Sequence, residues 1–333
     1  SIFIFPILST ETINLSFPFP DVIFLKSLKF LSLSVDNIGN MKIDGGENAA
    51  DGDTLTILGA LNNDTKGKEN ILSGASNIEN LYLNGNGNTL NIDNTNGFAL
   101  IISETGDDTF KISADKLSGI TIRDKTGLDN DTLKITSGGI NNTGNDDFLK
   151  NISAVENLIL AENSSNFVKL DNVSFNTITK NGTGQDNFYI TSNSDKLKMT
   201  INGGSDNDVI TIENIAVDNT AETGDTEYLK NIHGVESLNL SNNGGNKLFF
   251  NKDNINDFKF ISATQDSSIT LDNLENITVW FQGVINNELT VKNDNGIFNH
   301  EVTNASKIAL DGDKKIWKFA EEGKIGNSNN TVL

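Results

Sequence analysis

Asp131-Thr132-Leu133-Lys134-Ile135 decides how this chain is read. An acid closes a polar turn. Leu133 and Ile135 then alternate with Thr132 and Lys134, the period-two pattern of a strand with one face buried. The pattern also stands at Asp53-Thr54-Leu55-Thr56-Ile57, Asp208-Val209-Ile210-Thr211-Ile212 and Asn287-Glu288-Leu289-Thr290-Val291, in steps of 78, 77 and 79 residues. A second series, Asp108-Thr109-Phe110-Lys111-Ile112, Asp186-Asn187-Phe188-Tyr189-Ile190 and Ser267-Ser268-Ile269-Thr270-Leu271, advances by 78 and 81. A third, Ile78-Glu79-Asn80-Leu81, Val155-Glu156-Asn157-Leu158 and Val235-Glu236-Ser237-Leu238, advances by 77 and 80. Three independent markers with one period identify a repeat protein.

Each repeat holds two acidic turns. Asp108 precedes Asp131 by 23 residues, Asp186 precedes Asp208 by 22, and the degenerate pair Ser267 and Asn287 lie 20 apart. That spacing suits one coil of a solenoid, in which similar positions on successive coils stack strand on strand. The expected fold is all-β, a parallel β-solenoid of the β-roll or β-helix kind, with Leu133 and Ile210 pointing inward and Asn-rich turns running as hydrogen-bonded ladders. The alternative is a row of tandem β-sandwich domains of about 78 residues, short for that fold and without evident linkers. Expected boundaries are an apolar, non-repeat N-terminal segment at 1–35 (an edge or interface piece), the repeat solenoid at 36–292, and an atypical C-terminal cap or tail at 293–333.

Composition restricts function. The chain has 333 residues, no cysteine, and 45 acids against 25 Lys plus Arg, for a formal charge of -20. Nucleic acid needs a basic footprint and is excluded as an expected partner. Without disulfides the fold relies on packing, ladder hydrogen bonds or metal. Proline occurs only at 6, 18 and 20, and six of the 19 Phe lie in the first 35 residues. The apolar start Ser1-Ile2-Phe3-Ile4-Phe5-Pro6-Ile7-Leu8 lacks a basic n-region and is too short for a membrane span. No transmembrane segment is expected.

The acidic turns are the candidate sites. Gly203-Gly204-Ser205-Asp206-Asn207-Asp208 and Asn181-Gly182-Thr183-Gly184-Gln185-Asp186 are the fullest. Weaker copies hold Gly106, Asp107 and Asp108, then Gly127, Asp129 and Asp131, and finally Asp51 and Asp53. Glycine permits a tight turn that aims carbonyls inward, and Asp adds a hard oxygen; Ca²⁺ takes six to eight such oxygens. Stacked turns would share ions between coils, Asp108 with Asp131 and Asp186 with Asp208. The other reading is that each Asp only caps an Asx-turn before its strand. A charge of -20 on stacked coils repels itself, and bound cations would relieve it.

These turns resemble the calcium-binding nonapeptide G-G-x-G-x-D-x-U-x of the repeats-in-toxin proteins. Asp206 replaces the third Gly in one turn, Asn181 replaces the first in the other, and the turns are scattered at one per coil instead of running back to back. Ala154-Val155-Glu156-Asn157-Leu158-Ile159-Leu160 and Gly234-Val235-Glu236-Ser237-Leu238-Asn239-Leu240 are similar to segments of bacterial surface-layer proteins of that type. The resemblance covers about residues 40–310. It implies type I secretion, an extracellular location on the bacterial surface, Ca²⁺ as the bound ion, calcium-driven folding, and self-assembly into a lattice anchored to a cell-surface polysaccharide or lipopolysaccharide. An adhesin or surface-filament stalk and a polysaccharide-acting β-helix enzyme are the alternatives.

Catalysis is not expected. Histidine occurs only at 233, a variable turn position, and at 300, read as a solvated loop residue. The lone arginine, Arg123, with Asp124 and Lys125, reads as a surface charge cluster, and repeated carboxylates serve every coil alike. Trp280, Phe281, Trp317 and Phe319 fall where the pattern decays and read as capping residues, with a carbohydrate platform or a subunit contact as the alternative.

Overall fold

The computed structural model describes residues 52–69, 71–144, 147–241, 244–253, 257–283, 285–292 and 297–311, together with strand segments at 2–6, 12–15, 22–26, 30–34, 42–45, 318–319, 325–326 and 331–332. The chain is a parallel β-solenoid, not a row of sandwiches. Trp317 lies outside the described residues, and nothing is described of the Phe319 side chain.

Two compact units divide it, and each is a parallel stack. The first comprises Ser1–Gly138, Asp146–Ala161 and Asn172–Phe175; the second comprises Gly139–Asn145, Glu162–Asp171 and Asn176–Leu333. In the first unit one sheet runs Thr12–Leu15, Phe30–Ser34, Thr54–Leu58, Asn80–Asn84, Leu100–Ser103, Thr121–Asp124, Ile152–Ser153. Another runs Thr89–Asn91, Thr109–Ile112, Thr132–Ile135, Asn157–Ile159. In the second unit the longest sheet runs Asn166–Lys169, Asp186–Ile190, Val209–Glu213, Ser237–Ser241, Phe260–Ala263, Thr278–Phe281, Glu301–Thr303, Ile325–Gly326. A further sheet contains Lys247–Phe250, Ser268–Asp272, Glu288–Lys292 and Lys307–Asp311.

Register explains why these sequences stack. Phe110 pairs with Leu133 and Leu133 with Leu158, and all three side chains are wholly buried. Phe188, Ile210 and Leu238 repeat the column in the second unit. A one-residue slip would put the outward set, Thr109, Thr132 and Asn157, into the core, so the alternation fixes the register. Lys111, on the outer face, is ion-paired to Asp64.

The expected Asn ladders take a specific form. Asn63 is wholly buried; its Nδ2 donates to the Asn91 carbonyl at 3.0 Å, and its Oδ1 accepts the Asn91 N–H at 2.6 Å. Asn142 clamps Lys169 the same way at 3.0 and 2.7 Å, and Asn219 clamps Phe249 at 3.2 and 2.7 Å. Each is an amide bridge from a turn to the backbone of the next coil. Asn63→Ala would leave both peptide groups of Asn91 without this partner. A loss of roughly 1–3 kcal/mol is expected in urea denaturation, because the two peptide groups of Asn91 are half-buried and together count for about one fully buried stranded group. A loss under half a kilocalorie would mean that the bridge is idle.

Two expectations need correcting. His300 is not a solvated loop residue: it is 2% exposed, its Nδ1 accepts the Ile277 N–H at 3.2 Å, and burial pushes its pKa down to about 4. Asp124 is not part of a surface cluster: it ends the strand Thr121–Asp124 on the inner face at 7% exposure, while Arg123 faces out. His233 sits exposed on the short strand Ile232–His233. Phe281 is wholly buried, whereas Trp280 faces outward at 43% exposure.

Candidate metal centre

The acid that opens each strand points into the coil. Asp53, Asp108, Asp131, Asp186 and Asp208 are all 2% exposed or less. Buried carboxylates need donors, and the stacking supplies them from the backbone. Asp108 Oδ1 accepts the Asn88 N–H at 2.5 Å, Asp131 Oδ1 accepts the Asp108 N–H at 2.7 Å, and Glu156 Oε2 accepts the Asp131 N–H at 2.9 Å. The second unit repeats the chain: Asp186 accepts from Asn166 at 3.0 Å, Asp208 from Asp186 at 2.6 Å, and Glu236 from Asp208 at 2.9 Å. Glu79 accepts from the Asp53 N–H at 2.7 Å. The repeated Glu of the third sequence series therefore ends each acidic ladder.

These bonds use one oxygen each of Asp108, Asp131, Asp186 and Asp208. Among the described residues no donor reaches Asp53 Oδ1 or the Oδ2 atoms of Asp108, Asp131, Asp186 and Asp208. Burial pushes Asp131 up to about 7, helped by the charges of Asp108, Asp124 and Asp129 and opposed by the Asp108 N–H. Burial likewise raises Asp208 to about 7 and Asp53 to about 6, with the Glu79 charge adding to the latter. Asp108 and Asp186 are also raised by burial, against opposing donors.

Asp108, Asp124 and Asp131 converge. One carboxylate oxygen from each lies within 4.8 Å of the others. Two oxygens held about 2.4 Å from one Ca²⁺ lie no more than about 4.8 Å apart, so these separations meet the first requirement for sharing an ion of that class. The Ser103 hydroxyl donates to Asp124 Oδ1 at 3.3 Å, and Asp124 Oδ2 accepts from the N–H of Thr126 at 2.8 Å.

The remaining expected ligands have other employment. Asp129 Oδ2 accepts the Gly106 N–H at 2.5 Å, Asp206 accepts the Gly184 N–H, and Asp107 Oδ1 accepts the Asn130 N–H at 3.0 Å. These acids tie one turn to the next. Gly106 and Gly184 have φ of +89° and +113°, and a Cβ on them would lie 2.7 Å from Gly87 N and 2.5 Å from Ser164 O. The turns therefore need glycine for close stacking, whatever they bind. Gly127 donates to Asp124 Oδ2, and Gly203 and Gly204 pack against the neighbouring turn. Asp51 lies outside the described residues.

Asp171 shows what a saturated carboxylate looks like here. Burial alone would raise it, but Thr191, Ser192 and Asn193 donate to it and hold it below the usual carboxylate range. Asp171→Ala should cost about 1–3 kcal/mol in urea denaturation, equally in EDTA and in calcium. A calcium-dependent loss would place an ion there.

No protein-family model matches the chain, nor does any curated protein or solved structure. Among the described residues no helix is long and apolar enough to cross a membrane.

Proposed function

We propose that this chain is a structural component of a bacterial cell surface, a solenoid that folds and stiffens outside the cell by binding Ca²⁺ and then associates with copies of itself. The observation that carries the metal reading is the Asp108–Asp124–Asp131 cluster, with its buried and undonated oxygens on Asp108 and Asp131. Three carboxylates in one interior are costly unless paired with a cation. An ion that binds only the folded coil adds stability by mass action. Export of an acidic chain where free calcium is scarce, followed by folding where it is abundant, suits that linkage. The surface-layer role rests on the sequence resemblance together with the repetitive fold. An adhesin stalk would share the calcium linkage and lack the self-association.

The test is a calcium titration of EDTA-treated protein, followed by thermal denaturation and light scattering. A rise in melting temperature with calcium, followed by growth of large particles, is the expected result. Stabilisation without assembly would move the reading to a stalk. No effect of calcium on either signal would overturn it.

A further inference from the structure

The acidic locus recurs, and its charged residues differ from copy to copy. Leu100–Ser103 pairs with Thr121–Asp124 from Leu100↔Thr121 onward. The equivalent pairing in the second unit starts at Thr177↔Thr200, and the next at Phe260↔Thr278. Ser103, Lys180 and Ala263 thus hold one position of the coil, and Asp124, Gly203 and Phe281 hold another. Asp108 and Asp131 correspond to Asp186 and Asp208, then to Ser267 and Asn287. The first locus has three carboxylates and no cation. The second has two carboxylates and a lysine. The third is neutral.

Lys180 is 1% exposed, an extreme burial for a lysine. Its Nζ lies 3.1 Å from Asp186 Oδ1 and donates to the carbonyls of Gly184, at 2.7 Å, and Ser164. A carboxylate oxygen and two turn carbonyls are the hard donors that a calcium ion would otherwise take. In the first unit Ser103 carries no such charge. Asp124 adds a third acid. The Oδ2 atoms of Asp108 (1% exposed) and Asp131 (0%) find no donor among the described residues, and neither do those of Asp186 and Asp208, so the two loci differ in Lys180 and Asp124 and not in these oxygens.

We propose that Lys180 is a built-in substitute for a metal ion, so that a divalent cation of the calcium class binds at Asp108–Asp124–Asp131 and none binds at Asp186–Asp208. This rests on the calcium reading above and sharpens it to one of two homologous loci. It also assigns a ligand role to Asp124, which stands where the second unit has Gly203.

The test counts ions by native mass spectrometry with added calcium, and by Tb³⁺ luminescence, in the full chain and in variants whose folding is verified by circular dichroism. Asp124→Asn should remove one ion and most of the calcium-induced rise in melting temperature. The double variant Ser103→Lys with Asp124→Gly, which writes the second locus into the first, should remove the same ion yet stay folded in EDTA. Asp186→Asn with Asp208→Asn, made together with Lys180→Met so that no buried ammonium is left without its anion, should leave the ion count unchanged. If the wild-type chain binds no ion, the calcium reading fails and this inference with it. If the wild type binds ions but Asp124→Asn keeps the full count, or the Asp186/Asp208 variant loses one, the calcium reading survives and the assignment of loci is overturned.

Discussion

Lys180→Met, assayed without divalent cation, is expected to lose about 3–5 kcal/mol of unfolding free energy, the usual cost of removing one partner from a buried ion pair. Lys180 and Asp186 are both wholly buried as side chains, 3.1 Å apart. Removing the ammonium strands Asp186 and leaves the Gly184 and Ser164 carbonyls without its donation. The large term is the uncompensated charge, because the lost hydrocarbon stem is replaced by methionine of similar volume. A double-mutant cycle separates the two effects. Lys180→Met with Asp186→Asn should recover at least half of the loss, since the stranded group is then neutral and its Oδ1 can still accept from Asn166. A loss below about 1 kcal/mol for Lys180→Met, or no recovery in the double variant, would show that the pair is not a closed ionic unit.

Much of this architecture is legible in the sequence, and the reasons are physical. Strands of a solenoid must alternate and must recur, so Asp131-Thr132-Leu133-Lys134-Ile135 and its copies disclose both the strand and the stacking of Asp108 on Asp131. Topology is less legible. Thr132–Ile135 is the seventh strand after Thr54–Leu58, an odd step where successive strands alternate between sheets, so these copies fall on different sheets. A residue period counts length and carries no sheet label. The site was only half legible for a related reason. Glycine-rich turns draw attention to Asp129 and Asp206, which serve the backbone of the neighbouring turn. Asp124 and Lys180 follow Ile122 and Ile178 by two residues, which places them on the inner face of their strands. A charged residue at an inward position of an alternating strand was the signal that could have found both.

Asp208→Asn is expected to stabilise the cation-free protein at pH 8 by at least about 1.4 kcal/mol, the worth of one pKa unit, and to have little effect near pH 4. Burial raises Asp208 from 3.8 to about 7. A carboxyl group whose folded pKa lies above its unfolded value binds its proton more tightly when folded. Its contribution is therefore fully present below about 3.8 and is lost as pH rises through about 7. Asp53, raised to about 6, acts in the same direction. The groups held below the usual range, Asp171 and Asp93 among them, act oppositely, and their contribution is lost only below about 3.8. Without cations the chain should thus be more stable near pH 5 than at pH 8. The asparagine replacement already exists in the third copy: Asn287 Oδ1 accepts the Ser267 N–H at 3.3 Å while its Nδ2 donates to the Gly283 carbonyl at 2.6 Å. At position 208 the same amide would keep the acceptor for the Asp186 N–H and turn an undonated oxygen into a donor facing the turn of Gly204, four residues earlier as Gly283 is from Asn287. Urea denaturation of both proteins in EDTA at pH 4.5 and pH 8 decides the matter. Destabilisation at pH 8, or an equal shift at both pH values, would mean that the buried Asp208 carboxylate is not under electrostatic strain in the folded coil.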